Sequence, residues 1–197
     1  MNRALADILS TKLDSAYIDR KAGIVFTFEK VTVPESGPKV IKRIPVAYLN
    51  GEKVDMIPDS RCKCMIYFED QGISAPSKVG PGWQYISRLR LVCWLNSRLI
   101  SGQSDSTLKA KIMTDVIDKL AGGAYFSQSP YTRVLPKVVN IPTQDKNIFA
   151  KYDYSEQDQQ YLMQPYDYFA VDFQIPFTIP TACLNSITVT NPEACTQ

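Results

Sequence analysis

The chain is 197 residues long, 45% hydrophobic and 21% charged, with a formal net charge of +2 and no histidine. Those proportions describe an ordinary globular domain able to bury a sizeable core, and the near-balance of charge argues against a strong sequence-independent grip on nucleic acid. The missing histidine removes Ser-His-Asp and Cys-His hydrolysis in their usual forms, together with histidine-bearing zinc sites.

Residues 2–15 read as an amphipathic helix, with Leu5, Ile8, Leu9 and Leu13 on one face at helical spacing. Gly23 is expected to close the following turn, and a strand to start at Ile24 and run to about Val33. Pro34-Glu35-Ser36-Gly37-Pro38 reads as a turn. Val40 to Leu49 is the returning strand, in which Pro45 implies an edge position or a bulge. Asn50-Gly51 is a turn dipeptide.

Arg61 to Glu69 reads as the next strand, with Cys62, Cys64, Ile66 and Phe68 on one side and Lys63, Met65 and Tyr67 on the other. A long Gly-, Pro- and Ser-rich loop is expected over residues 70–84, with Gly80-Pro81-Gly82 as its tip beside Trp83. Tyr85 to Asn96 is a strand that turns Leu89, Leu91, Cys93 and Leu95 inward and Arg88 and Arg90 outward, antiparallel to 61–69. The strongest helix spans 106–121 on the stripe Leu108, Ile112, Met113, Val116, Ile117 and Leu120. Ser104 to Ser106 offer its N-cap oxygens and Gly122-Gly123 its end.

Residues 124–165 form an irregular insertion, with a possible strand over Tyr131–Leu135 and a short helix over Ser155–Met163. The last strand alternates cleanly: Phe169, Val171, Phe173, Ile175, Phe177 and Ile179 share one face. The expected whole is a single α+β domain over 1–179, a mostly antiparallel sheet packed by two amphipathic helices, followed by a C-terminal arm or tail over 180–197.

The charge is unevenly spread. Residues 1–50 carry eight Lys/Arg and five Asp/Glu, residues 51–150 thirteen and nine, and residues 151–197 one and six. An acidic end of one subunit against the basic body of another is one reading; a solvated surface is the other. The five cysteines, an odd number, fit free thiols in a reducing compartment. No apolar run is long enough to span a membrane, and Met1–Asp7 lacks a signal-peptide core, so a cytoplasmic origin is expected.

Cys62-Lys63-Cys64, with Cys93 and Cys183, invites a zinc site, but the spacing matches no paired knuckle and small core residues are the favoured reading. Gly80-Pro81-Gly82 has no Lys-Ser/Thr at the offset a phosphate loop needs. Carboxylate pairs such as Glu69/Asp70 lack any sign of a pocket that would perturb one of them. No cofactor or metal is assigned. Aromatic residues crowd the stretch 148–177, and since tyrosine is favoured at interfaces, contact with another subunit and local packing are equally open readings of its tyrosines.

The order of helix Asn2–Ala16, strands Cys62–Asp70 and Tyr85–Asn96, helix Leu108–Leu120 and strand Tyr168–Ile179 resembles the small α+β proteins that close and join the neck and tail of tailed bacteriophages, the tail-terminator or tail-completion type. Met65-Ile66-Tyr67-Phe68-Glu69-Asp70 and Leu89-Arg90-Leu91-Val92-Cys93-Trp94-Leu95 are similar to phrases in crAss-like phage proteins. Residues 124–165 and the tail depart from the shorter family pattern.

The resemblance implies a non-enzymatic virion protein, made in the host cytoplasm. It would form a homo-oligomeric ring of about six or twelve copies against adjacent neck and tail proteins, with DNA only passing through the channel and no membrane contact. The candidate contact residues are Ile73, Val79, Trp83, Arg88, Arg90, Tyr152, Tyr154, Tyr161 and Tyr166, with the loop 70–84 and the arm 180–197 reaching between rings. The acidic stretch 151–172 is a candidate for a neighbour's basic strand face or for lining the channel. Two rivals stand beside it. One is a nucleic-acid-binding module using Arg88, Arg90 and Trp83; the other is a small enzyme using carboxylate or tyrosine chemistry.

Overall fold

The computed structural model describes residues 1–32, 39–49, 51–102, 107–123, 125–153 and 162–184. The fold is α+β and dominated by strands. Helix α1 (Asn2–Lys12) leads to β1 (Arg20–Ile24), β2 (Phe26–Thr32), β3 (Val40–Leu49), β4 (Glu52–Asp55), β5 (Cys64–Ile73), β6 (Ser77–Val79) and β7 (Gly82–Asn96). Then come α2 (Ser97–Ser101), α3 (Leu108–Ala121), β8 (Phe126–Gln128), β9 (Tyr131–Val134), β10 (Lys137–Asn140), α4 (Asp145–Ile148), β11 (Tyr166–Pro180) and α5 (Thr181–Leu184). Among the described residues no helix is long and apolar enough to cross a membrane.

The main sheet is mixed. Its order is β1-β5-β7-β11-β9-β8, with β10 also on β11 and β6 on β7. Among the described residues only β1, beside β5, runs parallel to its neighbour; the other ladders are antiparallel. The antiparallel match expected between the strands around 61–69 and 85–96 is present, from Cys64 opposite Leu95 to Asp70 opposite Leu89. A second sheet, β2-β3-β4, is antiparallel throughout.

Period-2 alternation fills the first core. Leu89, Leu91, Cys93 and Leu95 of β7 and Phe169, Val171, Phe173, Ile175 and Phe177 of β11 meet Leu5, Leu9 and Leu13 from the α1 segment and Leu108, Ile112, Val116 and Leu120 from α3. The opposite face of the same sheet is also buried. Met65, Tyr67, Val92, Trp94 and Ala170 pack there against Ala47 of β3, Met56, Ile148, Phe149 and Tyr152. A sheet covered on both faces has no polar face in its middle, which is why Leu91 to Leu95 reads as a continuous apolar run.

Several expectations change. Gly23 lies within β1, where an added Cβ would run into the Asp7 side chain of α1, so it serves a close crossing rather than a turn. The single strand expected from Ile24 is broken at Val25: β1 stays with the main sheet and β2 joins the second. The 70–84 loop is mostly paired. β5 runs on to Ile73, and Ser77, Lys78 and Val79 oppose Gln84, Trp83 and Gly82 around a turn that uses the positive φ of Gly80. Exposed polar residues on a hairpin need no apolar alternation, so composition disguised the strands.

Cys62 precedes β5 and packs in the second core, whereas Cys64 and Cys93 lie in the first with their sulfurs 3.6 Å apart. The cysteines therefore do not share one face. Helix α3 starts after Thr107, which makes no side-chain cap bond; residues 103–106, including the expected caps Ser104 to Ser106, lie outside the described set. So do the Pro34–Pro38 turn, most of the Ser155–Met163 helix, and the arm beyond Leu184. Within the 124–165 insertion, β8, β9, β10 and α4 are ordered elements.

Candidate functional site

A row of charges crosses the second face of the main sheet. The register sets Glu69 on β5 opposite Arg90 on β7, Arg90 opposite Asp172 on β11, and Asp172 opposite Asn140 on β10. Arg90 clasps Asp172 with two bonds, Nε to Oδ1 at 2.6 Å and an Nη to Oδ2 at 3.1 Å, and its other Nη donates to the Asn147 carbonyl at 2.9 Å. The Asn140 amide donates to Asp172. Glu69 is 1% exposed; it accepts the Tyr152 hydroxyl at 2.6 Å and pairs with Lys151 at 2.9 Å. The Asp172 hydrogen bond holds the Arg90 pKa above its usual value against the opposing effect of burial.

Each charge in the row therefore has a partner of opposite sign or a strong donor, which is how buried ions are held structurally. The row straps the segment 140–153 across the sheet. Arg90, Asn140, Thr143, Lys146 and Asn147 also line an open cleft of about 600 Å³. The sequence places Arg90 with Arg88 on an outward strand face, either solvated, paired with an acidic neighbour or forming a basic stripe. Arg90 is half-buried and neutralised by Asp172, while Arg88 is exposed further along β7.

The remaining expected contact residues scatter. Ile73 and Val79 are exposed at the far end of β5 and on β6. Trp83 is half-buried in the ladder between Lys78 and Ile179. Tyr152 is buried with its hydroxyl on Glu69, and Tyr166 stacks on Trp94 with ring centroids 5.2 Å apart, so both serve internal packing. Tyr154 and Tyr161 lie outside the described residues. Among the described residues no group of three or more Cys, Asp or Glu side chains gathers as a metal site.

The surface that residue-by-residue reading passed over is the second sheet. Its outward face carries Phe26 and Phe28 from β2, Val40, Ile44, Val46 and Tyr48 from β3, and Lys53 and Asp55 from β4, all brought to one side by the register. Phe26, Phe28, Val40 and Tyr48 are 44%, 43%, 40% and 55% exposed, whereas Ile44 and Val46 are buried beneath them. Lys53 sits over the Phe28 ring, Arg3 over Phe26, and Lys30 pairs with Asp55 at 2.6 Å. On the opposite face of the sheet, at the ribbon's end, Val31 and Ile41 face each other across the ladder, 56% and 58% exposed. Phe26 and Phe28 thus form an exposed apolar cluster bounded by the Lys30–Lys42 pair on one side and by Lys53 and Asp55 on the other, with Val40 beyond the lysine pair; an apolar cluster rimmed by charge marks a contact surface. The alternating apolar residues of 26–31 and 40–48 were the available signal. What they lacked was an indication that, among the described residues, Phe26, Phe28, Val40 and Tyr48 stay exposed.

Arg43 fixes this sheet to the strap. Its backbone N–H and guanidinium donate to the Asp153 carboxylate, and its carbonyl accepts the Asp153 N–H at 2.8 Å. Beside that guanidinium the Asp153 pKa falls to about 2. Pro45 is tolerated for a related reason. Its carbonyl accepts from Met56 on the side away from β2, so the missing N–H is on that side as well and the β2–β3 ladder loses nothing.

No family model, curated protein or solved structure matches this chain.

Proposed function

We propose that this chain is a non-enzymatic structural subunit that assembles with copies of itself into a ring in the neck or tail of a tailed bacteriophage, of the tail-terminator or tail-completion type. The observation that carries the reading is the outward face of the β2-β3-β4 sheet. Phe26, Phe28, Val40 and Tyr48 stand exposed there on a three-stranded sheet. A face of this kind is stable in water when another protein covers it. A heterologous contact that closes by rotation gives a ring. The charge row supports the reading from the other side, because its polar groups hold the strap down and leave recognition to the apolar face. Adjacent neck and tail proteins are the further partners.

The mass of the purified chain in solution tests this. Light scattering should give a discrete multiple of the 22.2 kDa chain, about six or twelve copies. A single-chain mass at every concentration would overturn self-assembly.

A further inference from the structure

The β2 strand has an open edge whose geometry can be read from its neighbour. Both backbone groups of Arg43 point away from β2, to Asp153, and the Pro45 carbonyl does likewise. The pairs Glu29–Arg43, Thr27–Pro45 and Val31–Ile41 are therefore the non-hydrogen-bonded rungs of the ladder. It follows that the N–H and C=O groups of Thr27, Glu29 and Val31 also point outward, on the far side of β2. One residue earlier on the same edge, the Val25 N–H bonds the Phe68 carbonyl of β5 at 2.9 Å. Beyond Val25 the strand leaves β5. Among the described residues β2 then pairs with β3 alone, and Phe26 to Val31 are exposed throughout.

An exposed edge with the sequence Phe-Thr-Phe-Glu-Lys-Val-Thr has high β propensity, no proline or glycine and no net charge. Unprotected edges of that composition recruit strands. The arm carries a sequence with the matching alternation. Ser186-Ile187-Thr188-Val189-Thr190 alternates β-branched apolar and hydroxyl residues, has no charge, and is stopped by Asn191-Pro192. The undescribed stretches 33–38 and 154–161 have no such pattern: the first holds two prolines and a glycine, the second three glutamines and two acids. Five residues span about 17 Å as a strand, the length of Thr27–Val31. Ile187 and Val189 would extend the apolar face of Phe26 and Phe28.

We propose that residues 186–190 of one copy add as a strand to the Thr27–Val31 edge of the next. The inference rests on the self-assembly reading above and names the contact that links neighbours. It is β-augmentation, in which backbone hydrogen bonds supply affinity and alternate side chains supply register.

Full-length variants test it. Glu29→Pro removes an outward N–H without touching the β2–β3 ladder, and Val31→Pro does the same nearer the tip if Glu29→Pro misfolds. Ile187→Pro combined with Thr190→Pro blocks the arm in either register. Each blocked chain should sediment as a monomer with an unchanged circular dichroism spectrum. Mixing an edge-blocked with an arm-blocked chain should restore one intact contact and give a two-chain species. Blocked chains that keep the wild-type mass would overturn the strand addition while leaving self-assembly standing. Blocked monomers that fail to pair on mixing would place the strand within one chain and overturn the link between copies. A monomeric wild type would overturn both readings.

Discussion

Asp153 seals the edge of β3 at Arg43, bonding that residue's N–H, carbonyl and guanidinium at once. The strap and the second sheet thus meet at one exposed pair, and the edge of β3 is closed where β4 no longer covers it. Replacing Asp153 with Ala should lower the melting temperature only slightly, because the pair is exposed, and the acid-dependent loss through this carboxylate should be correspondingly small. It should strip hydrogen-exchange protection from the Arg43 amide. An Arg43 amide as protected as in the wild type would contradict the sealing role.

The same carboxylate sets a pH dependence. Asp153 and Asp59 are each held at about 2, by Arg43 and Arg61 respectively. A folded-state pKa below the ordinary value contributes stability that is fully present above the unfolded pKa near 3.8 and is lost as pH falls toward about 2. Denaturant midpoints should be flat above pH 5 and fall between about pH 4 and 2. In the Asp153→Asn, Asp59→Asn double variant that fall should be shallower; an equal fall would assign the acid sensitivity elsewhere.

Tyr152 offers a sharper contrast, because the sequence suggests a contact residue and the structure a buried donor to Glu69. Tyr152→Phe should destabilise the fold by about 1–2 kcal/mol, the cost of removing a donor from a buried carboxylate. The mass of the assembly should not change. A change in mass at unaltered stability would return Tyr152 to the interface.

Much of the first core was legible. The rungs from Phe169 to Ile179 and the Leu89–Leu95 set announce half-buried strands by period alone, and Leu5, Leu9 and Leu13 announce a helix. The second core was not. Val92, Trp94, Tyr168 and Ala170 sit at the positions that alternation assigns to solvent, and only the covering layer of β3 and the strap makes them interior. Likewise Arg90 reads as outward-facing and Glu69 as part of a carboxylate pair in a turn, and neither pattern points to Asp172. Their meeting depends on register across three strands, which no local pattern encodes. Part of the tyrosine-rich stretch turned out to pack internally, because stacking on Trp94 and a bond to Glu69 satisfy Tyr166 and Tyr152 within the chain.

The helix layer should behave as core. Leu9→Ala, at a fully buried position between α1 and the sheet, should cost about 2–5 kcal/mol in unfolding free energy. A loss below about 1 kcal/mol would mean that α1 docks without close packing.

The outward face of the second sheet should behave differently. Phe28→Lys combined with Val40→Lys should lower the mass of the assembly toward a single chain while shifting the melting temperature little. Loss of fold along with mass would instead mark Phe28 as structural.

Negative-stain imaging of the purified full-length chain bears most directly on the central claim. Closed rings with rotational symmetry, lost in the Phe28→Lys, Val40→Lys variant, are the expected result. Single particles of one chain, or open filaments in place of rings, would contradict it.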